Sequence, residues 1–200
     1  YEEPEAVAEL VAAIADTKLC LIRHCLKRYQ PDVFTFLDDY AHQSGLFLSL
    51  DMFREFFKPH LKRLVDTVHA EGVLFKIHCC GKMQDLTRDY MELGIDAIDP
   101  VMPMNDIQAM REIFGHKVGI MGGLDMQNVI DNSSATEEDV RAEVRRCIDS
   151  YAPSGGYIIY GASVNMRSKE AWGPHGCLGS LVDECSKYGM NYYKNRSNPQ

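Results

Sequence analysis

Five short apolar runs alternate strictly with helix-forming stretches along this chain, and that order admits few folds. The runs lie near residues 32–37, 73–77, 95–98, 117–121 and 156–160. Each is rich in β-branched or aromatic residues and is bounded by Gly, Asp or Pro, so each reads as a strand. The intervening stretches carry apolar residues at helical spacing and predict helices at about 4–28, 49–70, 83–93, 106–114, 136–151 and 178–188. In the first, Val7, Leu10, Val11, Ile14, Leu21, Ile22 and Cys25 form the stripe. Start and stop signals agree with these bounds. Pro4 suits a first helical turn, Ser49 an N-cap, and Thr136-Glu137-Glu138-Asp139 a capping box, while Gly72, Gly94 and Gly115 close helices. A polar loop with Gly45 is expected between the first strand and the second helix.

Strand-helix alternation means a parallel sheet with crossover helices, and strands this apolar are covered on both faces. No G-x-G-x-x-G and no P-loop lysine appears, so the nucleotide-binding doubly wound fold has no fingerprint here. The other large parallel class is the (β/α)8 TIM barrel, whose sites gather at the C-terminal ends of the strands. Polar residues fall there repeatedly: Asp38-Asp39, His78-x-Cys80, Asp99, Asp125 and Ser163. Eight strands take about 250 residues. Five strands in 200 residues therefore read as the C-terminal portion of one such α/β barrel domain, covering 1–200. The chain enters helix-forming sequence at once from Tyr1. As part of a longer barrel it is expected to expose two sheet edges and to self-associate or be unstable when isolated.

Composition narrows the function classes. A net charge of −8 and a pI near 5.3 argue against a nucleic-acid footprint. No apolar run is long enough to span a membrane, and no signal peptide opens the chain. Seven cysteines at irregular spacing read as reduced thiols in a cytoplasm.

The stretch Phe75-Lys76-Ile77-His78-Cys79-Cys80-Gly81 holds the most concentrated chemistry. In extended chain, residues i and i+2 share a side, so His78 and Cys80 pair on one face while Cys79 points away. An imidazole and a thiol side by side can make half of a zinc site; the bland alternative is a small buried thiol and a satisfied histidine at a strand end. Without metal, His78 can serve as a general acid or substrate donor. Asp38 and Asp39 diverge, so only one can point inward, as a proton donor or a binder of cationic or pyrrole N–H groups. Asp125 follows Gly122-Gly123 and reads either as a substrate contact or as an N-cap for the turn 126–130. Met102, Met104 and Met121 can line an apolar wall or simply fill core gaps. Tyr160 and Asn165 flank Ser163, and Trp172 and His175 sit in the last long loop as a lid or interface.

The run Asp38-Asp39-Tyr40-Ala41-His42-Gln43-Ser44-Gly45, then Ser49 to Pro59, then His78-Cys79-Cys80-Gly81, resembles the uroporphyrinogen decarboxylase superfamily. So do Gly94-Ile95-Asp96-Ala97-Ile98-Asp99-Pro100 and Gly122-Gly123-Leu124-Asp125, in the family's order and spacing from about Glu3 to Ser163. The resemblance implies the barrel and two enzymatic branches. One holds methyltransferases that move a methyl group between a corrinoid carried by a partner protein and a thiol or small methylated compound. Several of these bind zinc through His-x-Cys and a later cysteine. His78 and Cys80 match the first two ligands, while the third falls at Ser163, with His175 and Cys177 further along. The other branch decarboxylates uroporphyrinogen in porphyrin and heme biosynthesis, without metal, and uses a histidine whose matching position is again Ser163. The methyltransferase is the reading preferred here, with His78 and Asp39 catalytic, His78 and Cys80 on zinc, and Asp38, Met102, Asp125, Tyr160 and Ser163 against substrate. The decarboxylase is the first alternative and a non-catalytic ligand-binding barrel the second.

Overall fold

The computed structural model describes residues 2–192 and 194. Of the polar C-terminal stretch 191–200, expected from sequence to fray, residues 193 and 195–200 lie outside the described ones. The fold is α/β with five parallel strands, the C-terminal portion of a (β/α)8 barrel. It divides into two compact units, Tyr1–Asp99 with Met104–Gly119, and Pro100–Pro103 with Ile120–Gln200.

The first unit opens with α1 (Pro4–Tyr29), which has Pro4 in its first turn. Its buried face is Ala15, Leu19, Ile22 and Leu26. Val7, Leu10, Ile14 and Leu21 of the anticipated stripe are exposed instead. The sequence is apolar on more than one side, and packing against the later helix α3 (Lys58–His69) selects only one. Gln30 then takes a left-handed conformation, donating its N–H to Leu26 O, and turns the chain toward β1 (Val33–Leu37).

The expected polar loop is in fact a short hairpin, β2 (Ala41–His42) against β3 (Gly45–Leu46). The expected single helix also departs from a uniform α form. Ser49 caps α2 (Leu50–Met52) by accepting Met52 N–H, a wide π turn follows at Phe53–Phe57, and α3 resumes the α form. Pro59 explains the widening, since it has no N–H to give Glu55 and its ring crowds that carbonyl. Lys58 N–H accordingly reaches back five residues to Phe53 O.

Strand β4 (Leu74–His78) pairs in parallel with β1, Leu37 opposite His78. Phe36, Phe75 and Ile77 are buried. A 3-10 turn (Gln84–Leu86) leads into α4 (Thr87–Leu93), capped by left-handed Gly94. Strand β5 (Ala97–Val101) pairs with β4, setting Asp99 opposite His78. It begins later than anticipated, so Asp99 and Pro100 lie inside the strand and not beyond it. Asp106 caps α5 (Ile107–Phe114) by accepting Ala109 N–H.

Asp89 on α4 is buried and accepts two bonds from Arg54 (2.9 and 3.0 Å) and one from Lys58 (2.8 Å). Burial alone raises a carboxyl; here the Arg54 and Lys58 bonds outweigh it and hold Asp89 below the usual range. A lowered folded pKa stabilises the fold above the unfolded value, about 4, and that contribution fades as pH falls through the folded one. Asp89→Asn is therefore expected to lower the urea midpoint at pH 7 and to narrow its gap to wild type at pH 3. An unchanged gap at both pH values would refute this account.

The second unit holds β6 (Gly119–Gly123) from Ile120 onward, α6 (Glu137–Tyr151), β7 (Tyr157–Tyr160) and α7 (Cys177–Glu184). Thr136 and Asp139 form the anticipated reciprocal capping box on α6. Strand β6 pairs in parallel with β7. Leu124, Val144, Cys147, Ile148 and Ala152 make a buried cluster, and burial pushes the Cys147 thiol up to about 12. Tyr157 O–H donates to Gly122 O, and Arg146, paired with Glu143, donates to Gly123 O. These bonds tie the end of β6 to β7 and α6. Among the described residues no helix is long and apolar enough to cross a membrane.

Candidate metal centre and its surroundings

Register builds the site. Because β1 and β4 run in parallel with Leu37 opposite His78, the residues just past both ends meet. Asp38 N–H donates to His78 O (3.2 Å), and the Asp39 carboxylate accepts Cys80 N–H (2.6 Å). The chain geometry expected of His78 and Cys80 holds, with Nε2 3.3 Å from Sγ. One donor atom each from Asp39, His78 and Cys80 all lie within 4.8 Å of one another. Burial, reinforced by the negative charge of Asp39, pushes the Cys80 thiol up.

A nitrogen, a sulfur and a carboxylate oxygen converging from partly exposed side chains suit zinc, which takes these donors and keeps an open position when three protein ligands hold it. Asp39 reaches this set only through strand register, and nothing local in the sequence marks it as a ligand.

Behind His78 stands Asp99, 3% exposed. Its Oδ2 accepts Lys76 Nζ at 3.1 Å; its Oδ1 is 3.5 Å from His78 Nδ1 and is buried without a hydrogen bond. Lys76 and His78 alternate onto one face of β4, and Asp99 is opposite His78 on β5. The signal for this trio was present in two i, i+2 and strand-end patterns, but which strand neighboured which was not.

Cys79 points to the other side, as the alternation predicts. It is fully buried and receives Tyr40 N–H at 3.4 Å, and burial raises its thiol. Tyr40 itself packs edge-on against Phe53 and Phe57. The turn after Cys80 is clamped from both sides. Lys82 N–H donates to His42 O in the hairpin (2.8 Å), and buried Asn105 binds Met83 N–H, Gln84 N–H and Gly81 O. Gly81 is left-handed (φ +91°) with the His42 backbone against it.

The two adjacent aspartates do diverge. Asp38 turns to Lys18 (3.2 Å) and Tyr40 O–H (2.7 Å), away from the donor cluster that Asp39 joins. Met102, Asp125, Tyr160 and Ser163 belong to the second unit. There Asp125 is an N-cap, accepting Asn128 N–H at 2.9 Å. Met102 and Tyr160 are half-buried. The Ser163 hydroxyl donates to Asp131, which also receives Val164 N–H and Asn165 Nδ2. His175 is exposed beside Glu137, and Cys177 opens α7 against an apolar cluster. Trp172 donates its indole N–H to Met166 O.

Three similarities bear on this arrangement. The sequence profile of the family described as Uroporphyrinogen decarboxylase (URO-D) matches residues 1–164. The chain is 27% identical over 162 residues to the uroporphyrinogen decarboxylase of Shewanella loihica (strain ATCC BAA-1088 / PV-4), covering 80% of this chain and 43% of that protein. Its fold is similar to a methyltransferase from Methanosarcina mazei, with a TM-score of 0.65 and 16% identity over 88% of this chain and 47% of that one. The chain thus spans less than half the length of either relative. With a family match over most of its residues, and with strand order and fold in agreement, the chain belongs to the uroporphyrinogen decarboxylase family.

Proposed function

We propose that this chain is the catalytic portion of a corrinoid-dependent methyltransferase, in which a methyl group moves between a corrinoid on a partner protein and a small thiol or methylated compound. The observation that carries this reading is the convergence of Asp39, His78 and Cys80 donor atoms within 4.8 Å at the C-terminal end of β4. His78 Nε2 and Cys80 Sγ would hold zinc, with Asp39 as third donor in place of Ser163, whose hydroxyl is committed to Asp131. When bound, zinc supplies a Lewis acid that keeps a substrate thiol as thiolate at neutral pH. The protein's own task is to fix the donor side chains and leave the partly exposed side of Asp39 open to substrate.

A second reading is porphyrinogen decarboxylation, favoured by the identity to the Shewanella loihica protein. In it, no metal is needed, and His78 acts as a proton donor beside Asp39. The two separate in paired assays on the full-length protein. Zinc-dependent demethylation of a methyl-corrinoid by a small alkyl thiol is the expected result. Metal-independent release of CO2 from uroporphyrinogen overturns it in favour of the decarboxylase. Ligand binding without turnover in either assay overturns both.

A further inference from the structure

We propose that Asp99 is a positioning residue that, braced by Lys76, fixes His78 as the Nδ1–H tautomer, so that Nε2 is the nitrogen presented to Cys80 and to a divalent metal. The proposal deepens the metal reading above and rests on it only for the affinity arm of its test. Four observations converge. Asp99 is 3% exposed, so its charge demands partners from the protein itself. Oδ2 has one in Lys76 Nζ at 3.1 Å. Oδ1 is buried with no hydrogen bond, and His78 Nδ1 lies 3.5 Å away. On the other side of the ring, Nε2 faces the Cys80 sulfur at 3.3 Å.

The donors and acceptors of this chain can be satisfied in only one sense. A carboxylate accepts and cannot donate, so a bond between Asp99 and His78 requires the ring proton on Nδ1. Nε2 is then the bare nitrogen, able to accept the Cys80 thiol proton or to bind metal. The 3.5 Å separation exceeds an ordinary N–H···O bond by about half an ångström. A carboxylate behind a ligating imidazole sets the tautomer and the orientation of the ring, and its loss typically weakens metal binding about 10–100-fold.

Asparagine at 99 makes a sharp test because Lys76 orients the amide. Lys76 Nζ donates to Oδ2 in the wild type, so the amide oxygen is expected on that side and the NH2 group toward Nδ1. Nδ1 must then be bare and Nε2 protonated, the wrong way round for metal. The first measurement is the imidazole 15N signature of His78 in the full-length, metal-free protein, assigned by its disappearance in His78→Gln. Wild type is expected to show Nδ1–H, and Asp99→Asn to shift His78 toward Nε2–H. In parallel, Co2+ alone is titrated against a chelator, following the thiolate-to-cobalt absorption band, with an expected loss of about 10–100-fold in Asp99→Asn. An Nε2–H tautomer in wild type overturns the proposal without any variant needing to fold. So does an unchanged tautomer and affinity in a folded Asp99→Asn. A correct tautomer that flips in Asp99→Asn, in a protein that binds no Co2+, upholds the positioning role and sinks the metal reading instead.

Discussion

Replacing Cys80 with alanine is expected to take full-length protein from one zinc per chain to almost none, while Ser163→Ala leaves the zinc in place. The loss of one of three protein donors is expected to cost roughly 3 kcal/mol, a hundredfold or more in affinity. Cys80 is half-buried at a turn and its backbone N–H also holds Asp39, so the variant is expected to keep its fold and that backbone contact. The Ser163 hydroxyl is donated to Asp131. Cys79→Ala is the internal contrast. Its sulfur is buried on the opposite side, against Tyr40, so that variant is expected to lose about 1 kcal/mol of stability and retain its zinc. Elemental analysis of the dialysed proteins decides the matter. Zinc retained in Cys80→Ala, or lost in Ser163→Ala, would show that the ligands are not those brought together at the end of β4.

Gly81→Ala is expected to be the most damaging glycine substitution in the first unit, at about 2–5 kcal/mol. Two costs add there. A left-handed conformation disfavours any side chain by roughly 1–2 kcal/mol, and Gly81 has φ +91°. A Cβ on Gly81 would also stand 2.6 Å from His42 O and 2.8 Å from its Cα, so the hairpin must move, at a further cost of about 1–3 kcal/mol. Moving it breaks the bond from Lys82 N–H to His42 O and loosens the loop that delivers Asp39. Gly94→Ala isolates the first cost, since Gly94 has φ +80° and nothing within 4 Å of its Cβ position. Urea midpoints for the two variants are expected to differ by the crowding cost alone, and only Gly81→Ala should also weaken Co2+ binding. Equal midpoints would mean that the hairpin gives way freely and does not clamp the site.

These expectations divide by what local sequence can encode. Hydrophobic period and cap chemistry act within a few residues, so the strand-helix alternation, the Ser49 and Thr136 caps, and the opposed directions of Cys79 and Cys80 were all legible in the chain. The His78–Cys80 pair was legible for the same reason, because both ligands come from one short extended segment. The π turn at Phe53–Phe57 and the hairpin at Ala41–Leu46 were not, since each depends on how a backbone segment relaxes around Pro59 or against the Gly81 turn. Which aspartate joins the metal donors was also undetermined. Asp38 and Asp39 are chemically identical and adjacent, and only the pairing of β1 with β4 sends Asp39 to Cys80 while Lys18 and Tyr40 draw Asp38 away. Asp99 behind His78 is the same kind of fact. The sequence by itself determined the alternation, the fold class and the paired histidine and cysteine, because each is written in neighbouring residues. The tertiary structure alone decided what stands in front of and behind that histidine, because strand register brings together residues that lie tens of positions apart in the chain.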